Sequence, residues 1–88
     1  MSKTDKLIKK AKTSPTNFTF NEICLLATRV GFVLRNQTGS HKIYKHPIYE
    51  KMMNFQPDKQ DKSKAKRKQI DQLLEFIDEF ILTENNHV

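Results

Sequence analysis

The chain has 88 residues, 30% of them Asp, Glu, Lys or Arg, and a formal net charge of +6. A chain this short forms one small domain with a modest core, leaves no room for a nucleotide-binding Rossmann unit, and has only two glycines, which make no phosphate-cradling loop. No apolar run reaches membrane-spanning length, and the single cysteine, Cys24, excludes an internal disulfide and a thiolate zinc cage.

Met1-Ser2-Lys3-Thr4-Asp5-Lys6 leads into no apolar signal region, so a cytoplasmic location is expected. Residues 1–13 carry five lysines around Leu7, Ile8 and Ala11, the pattern of a weak amphipathic helix or a frayed tail. With Ser14-Pro15-Thr16-Asn17 they make a basic N-terminal extension over 1–17. A firm helix start follows, because Thr19 and Glu22 can form a capping box with Phe18 and Ile23 as its hydrophobic staple. Phe20, Ile23, Leu26, Ala27 and Val30 then recur at helical spacing, which predicts a helix over 20–30 that carries Cys24 as a small core hydrophobe. Gly31 is its natural stop.

Phe32 and Leu34 alternate with Val33 and Arg35 in a first strand, Thr38-Gly39-Ser40 is a turn, and residues 41–46 read as a second strand. His46-Pro47-Ile48-Tyr49-Glu50 supplies another turn, and Lys51-Met52-Met53-Asn54-Phe55 a third strand, closed by Pro57. Residues 59–68 are a basic block of six cations and one acid, read as a solvated loop or a flexible cationic arm. Ile70, Leu73, Leu74, Ile77, Phe80 and Ile81 give the last helix a wide apolar stripe, and 85–88 form a fraying tail.

The expected fold is α+β, of order α-β-β-β-α: a three-stranded antiparallel sheet with two helices on one face, the order of the double-stranded-RNA-binding domain. Charge is segregated along it. Residues 1–68 hold all 16 Lys and Arg with five acids, a balance of +11, whereas 69–88 hold five acids and no Lys or Arg. Such a body suits polyanion binding as well as it suits simple solvation.

Strand alternation puts His41, Ile43 and Lys45 on one face and Lys42, Tyr44 and His46 on the other, with Tyr44 the core contact. His41 and Lys45 then face outward. Five strand steps separate His41 from His46 by about 16 Å, which argues against a two-histidine couple. A lone imidazole, with an ordinary pKa of about 6.5, can take the proton of a ribose 2′-hydroxyl so that its oxygen attacks the adjacent phosphorus, with no metal or cofactor required. Arg35, Lys42 and Lys45 are candidates to hold the phosphate. Lys59, Lys62, Lys64, Lys66, Arg67 and Lys68 are further RNA-binding candidates. From spacing alone, an ordinary surface histidine is the simpler reading of His41, and more so of His46 and His87.

The run Phe20-x-x-Ile23, Gly31-Phe32-Val33-Leu34-Arg35 and Gly39-Ser40-His41-Lys42-Ile43-Tyr44-Lys45-His46-Pro47 resembles the HicA family of bacterial toxins. The likeness covers residues 18–82, so that 18–84 reads as a HicA-like domain. It implies an mRNA interferase of a type II toxin-antitoxin system, an endoribonuclease that arrests translation. His41 would be its catalytic residue, presented by Gly39 and Ser40. It also implies a cognate HicB-type antitoxin that masks His41, with DNA contacted only through that complex. The chain departs from compact members by its N-terminal segment, by the basic stretch before the last helix, and by lacking a histidine just after Pro57. The alternatives are a non-catalytic RNA-binding module and a protein-interaction module using the acidic last helix or an exposed sheet edge.

Overall fold

A computed structural model describes residues 3–82 of the chain. The tail expected over 85–88, with His87, and the end of the domain expected at 84 lie outside these described residues.

Helix α1 spans Lys3–Thr13, and a single 3₁₀ turn at Pro15–Asn17 leads to α2, Phe20–Arg29. The Thr19 side chain accepts the Glu22 N–H at 3.1 Å, and the Glu22 carboxylate accepts the Thr19 N–H at 2.9 Å, so the capping box forms. The staple residues Phe18 and Ile23 are both fully buried. Gly31, at φ +107°, ends α2 in a conformation that L side chains rarely adopt.

Strands β1 (Val33–Thr38), β2 (His41–Lys45) and β3 (Met52–Phe55) form an antiparallel sheet in the order β1-β2-β3. Thr38 pairs with His41 across a two-residue turn in which Gly39 takes φ +59°, the Gly-first pattern of a II′ hairpin turn. The β1–β2 register shifts between Leu34 and Asn36, a bulge that leaves Arg35 unpaired in the ladder. Helix α3 covers Arg67–Phe76 and continues into a π-helical segment, Ile77–Leu82.

The helices cover one face of the sheet. Tyr44, Met53 and Phe55 are buried with Phe18, Ile23, Leu26, Phe32, Ile70, Leu73, Phe76 and Ile77 in one core. On the other face Val33 and Met52 are exposed. Alternation of side chains along β2 and β3 produces this division, as expected from the sequence, whereas every residue of β1 is exposed.

The structure decides three readings, two of them between alternatives that the sequence left open. The N-terminal segment is no frayed tail: α1 buries Ile8 and Ala11 in the common core and is tied to α2 by Lys10, whose Nζ lies 2.8 Å from a Glu22 carboxylate oxygen. The basic block is no free arm either. Lys64 bridges to Thr19, Ala65 bridges to Pro57 and is buried, and Arg67 and Lys68 already belong to α3. Ser63 donates its hydroxyl and its N–H to Asp61, which holds the Asp61 carboxyl below its ordinary range and folds the loop back on itself.

His46 is the third. Far from being a surface residue, it is 3% exposed and ringed by Phe32, Tyr49 and Phe76, with centroids 4.9–5.4 Å away. Its Nε2 lies 2.9 Å from the Val30 carbonyl and its Nδ1 lies 3.3 Å from the Ile48 N–H. Those partners define the neutral tautomer with the proton on Nε2, donating to Val30 and accepting from Ile48. The ring also occupies the space over Gly31, where a Cβ would come within 2.6 Å of Nε2. What buries His46 is thus an aromatic layer from distant segments together with the missing side chain of Gly31.

Candidate functional site

The II′ turn sets the site. Gly39 has open space around its Cα, so its role there is conformational and not one of packing. Ser40 completes the turn, and His41 follows as the first residue of β2, exposed on the open face of the sheet opposite Thr38. The hairpin ladder fixes the backbone on both sides of it, so the imidazole is presented to solvent from a rigid element.

The three predicted partners divide into two groups. Lys45 shares the open face with His41, but four strand steps, about 13 Å, lie between them. The bulge keeps Arg35 on that same face, where it lines a notch of 260 Å³ with Val33, Lys45, Pro47 and Glu50. Arg35 and Lys45 therefore stand together at the far end of the strand and do not reach the His41 end. Lys42 takes the helix side: its Nζ sits 5.7 Å from the Phe20 ring centroid, a cation–π contact at the N-terminus of α2. It adjoins His41 along the chain and not face to face.

The basic block gathers at the His41 end. Lys42 pairs with Phe55, and its ammonium rests over Phe20, whose N–H donates to the Ser63 carbonyl at 3.0 Å. Lys64 pairs with Thr19, and Lys66 donates from Nζ to the Gln56 Oε1 at 3.0 Å. Lys59 and Lys62 are exposed in the loop, Lys66 precedes α3, and Arg67 and Lys68 occupy its first turn. The N-terminus of α3 has no side-chain cap and no acid in its first turn. Cations at the positive end of a helix dipole oppose the ordinary preference for acids there. At this terminus Arg67 pairs with Asp71 at 3.3 Å, and both are exposed.

Behind β2, Tyr44 and Cys24 meet under the sheet. Burial first, and then the Cys24 sulfur beside it, push the Tyr44 hydroxyl up to about 12. Burial likewise raises the Cys24 thiol, against the smaller pull of Tyr44 and Lys42. Both groups are therefore protonated at neutral pH and serve the core that supports the strand. Among the described residues, no three His, Cys, Asp or Glu side chains converge on a point that could hold a metal ion, and no helix is long and apolar enough to cross a membrane.

Searches of protein-family models, of curated proteins and of solved structures return no match to this chain.

The geometry adds two residues that reading the sequence passed over. Phe20 links the β2 end to the basic loop, and the only signal for it was its place in the first turn of an amphipathic helix. Glu50 lines the Arg35 notch at φ +54°, a left-handed conformation uncommon outside glycine. Its N–H closes the β2–β3 turn on the His46 carbonyl at 2.8 Å.

Proposed function

We propose that the chain is a HicA-type mRNA interferase, an endoribonuclease of double-stranded-RNA-binding-like fold that works in the cytoplasm as the toxin of a type II pair. The observation that carries the proposal is that an exposed histidine on a rigid turn stands at the same end of the sheet as the cationic, uncapped N-terminus of α3, linked through the Lys42–Phe55 pair and the Gln56 N–H that donates to the Gln69 Oε1. Exposed peptide N–H groups and lysines at that terminus suit phosphate oxygens. His41 stands at the edge of the same end, where it can act on a ribose of the bound strand.

In this reading His41 removes the 2′-hydroxyl proton, the 2′-oxygen bonds to phosphorus, and the bond to the 5′-oxygen breaks as that oxygen takes a proton from water. The products are a 2′,3′-cyclic phosphate and a 5′-hydroxyl end, and DNA is spared for want of the 2′-hydroxyl. Arg35 and Lys45 hold the strand about 13 Å away along β2, which is too far for contact with the reacting phosphate. The partner is a HicB-type antitoxin that masks His41, and DNA is met only through that complex.

The test is incubation of the purified chain with mRNA in the presence of chelator, with the product ends analysed. Cyclic phosphate ends from the wild type, and a rate reduced by 10²–10⁴-fold in His41→Ala, are expected. Cleavage by His41→Ala at the wild-type rate would overturn the assignment. The cationic end also fits an RNA-binding module without catalysis. That reading predicts the same salt-sensitive RNA affinity in both proteins, with the RNA left intact in both.

A further inference from the structure

β3 is an edge strand, and the side it turns away from β2 is bordered by the last helix. Between them runs a groove of 290 Å³, with Met52 and Met53 on the strand wall and Glu75, Phe76, Glu79 and Phe80 on the helical wall. Phe76 and Met53 are buried at its base, while Met52 is 58% exposed at its rim.

The strand edge here is unpaired. The His46 N–H donates to the Lys51 carbonyl at 2.8 Å, which makes 46 and 51 a hydrogen-bonded pair. Alternation along an antiparallel ladder then directs the peptide groups of Met53 and Phe55 to β2, and those of Met52 and Asn54 outward. Past Phe55 the edge closes, since Pro57 pairs with Ala65. A short open edge beside a groove with acidic side chains on its far wall is an arrangement that can accept an added strand.

The charges on the helical wall identify what fits. Asp71 and Asp78 have basic partners, Arg67 and Lys12. Glu75 and Glu79 have no hydrogen-bond or ion-pair partner among the described residues, although the chain carries a net charge of +6. They stand four residues apart on one helical stripe, where like charges repel. Their spacing along the axis, about 6 Å, is close to the roughly 6.8 Å between alternate residues of a strand. A second copy joined edge to edge through β3 would bring these acids against their own images.

We propose that the β3 edge and the groove beneath it bind an extended, basic segment of a partner protein as a fourth strand. Alternate lysines or arginines of that segment meet Glu75 and Glu79, and its apolar residues lie over the exposed Met52 and the partly buried Phe80. Lys51, at the turn end of the groove, repels a cation there and so limits the basic positions to the stretch facing the two glutamates.

The experiment titrates the full chain into a fluorescein-labelled peptide of alternating valine and lysine, seven residues long, and reads anisotropy. A protein of net charge +6 disfavours such a peptide overall, so saturable binding lost on changing this groove is informative. Glu75→Lys combined with Glu79→Lys should weaken binding by about tenfold. N-methylation of alternate peptide nitrogens, which leaves charge unchanged and removes strand hydrogen bonds, should weaken it at least as much. In hydrogen exchange, peptide should slow the amides of Met52 and Asn54. Four results would overturn the proposal: no saturable binding, equal binding by the charge-reversed variant, equal binding of the N-methylated peptide, or a valine–glutamate peptide bound more tightly. Protection of Met52 and Asn54 that rises with protein concentration in the absence of peptide would assign the edge to a second copy instead.

Discussion

A methyl group added at Gly31 should destabilise the fold by about 2–6 kcal/mol, from backbone strain and a broken buried hydrogen bond together. The backbone there has φ +107°, and holding an L residue in so sparse a region costs about 1–3 kcal/mol. The new Cβ would lie 2.6 Å from the His46 Nε2 and 3.2 Å from its Cε1. Since the ring is packed by Phe32, Tyr49 and Phe76, it can retreat only by giving up its 2.9 Å bond to the Val30 carbonyl. Orphaning a buried pair of this kind costs about 1–3 kcal/mol. A domain of this size has roughly 4–13 kcal/mol of stability in total, so Gly31→Ala should lower the urea midpoint by more than about 1 M. The decisive assay is a double-mutant cycle with His46→Ala. Without the imidazole the methyl group has space, and Gly31→Ala should then cost only the backbone share, leaving a coupling of at least about 1 kcal/mol. Equal costs of Gly31→Ala in the two backgrounds would refute the steric argument.

Burial alone would raise the Glu22 carboxyl, but the Lys10 ammonium and the Thr19 N–H outweigh it and hold the group below its ordinary 4.5. The stability it confers is therefore present above pH 4.5 and is lost as the pH falls through the depressed value. Glu22→Gln should cost about 1 kcal/mol at pH 7 and flatten that acid limb in urea titrations from pH 7 to 3. Tyr44 has the opposite sign: its contribution is full below pH 10 and is lost as pH rises toward about 12, so Tyr44→Phe should flatten the alkaline limb of stability followed by circular dichroism. Ile8→Ala should cost about 2–4 kcal/mol in thermal or urea unfolding, a loss that a frayed N-terminus would not show. Lys62→Ala and Lys68→Ala, made in the His41→Ala background, should each reduce the slope of log affinity for single-stranded RNA against log salt by about 0.7.

Local chemistry made α2 and the hairpin legible. A capping box, a stop glycine and a Gly-Ser turn are each decided within a few residues, and the structure keeps all three. The open and covered faces of β2 also followed from alternation, because Tyr44 commits the strand to one orientation. What escaped was set by distant partners. His46 shares Tyr44's face, but its burial depends on Phe76 and Tyr49 closing around it and on Gly31 making room. Arg35 could be placed beside Val33 by alternation, yet the bulge that keeps Asn36 on the same face adds an extra residue that no pattern of residue types announces. α1 has too narrow a stripe to specify docking by itself, and it gains Ile8 and Ala11 as core only because α2 and α3 offer a surface to meet them. The candidate site was visible as residues but not as distances. His41, Lys45 and Arg35 stand near one another in sequence, whereas the structure moves Lys45 and Arg35 away and brings up residues some twenty positions later.

The charge pattern of the last helix ties these observations together. A helix is helped by acids in its first turn and cations in its last, and this one is built the other way round. Lys66, Arg67 and Lys68 crowd its start with no acid in the first turn, while Glu75, Asp78 and Glu79 line its far half with no cation in the last turn of α3. Each reversal works against helix stability by a few tenths of a kcal/mol or more, in a domain too small to ignore such losses. Packing of Ile70, Leu73, Phe76 and Ile77 holds the helix in place regardless, which frees its two ends to carry charges that its own dipole disfavours. Sites where local rules are broken under the protection of a core are where binding is expected. On the reading proposed above, the basic end serves polyanions beside His41, and the acidic end a basic strand along β3. One helix with reversed charges thereby presents two surfaces of opposite sign, and under the two proposals the β3 edge stays open to a protein partner while the other end engages nucleic acid.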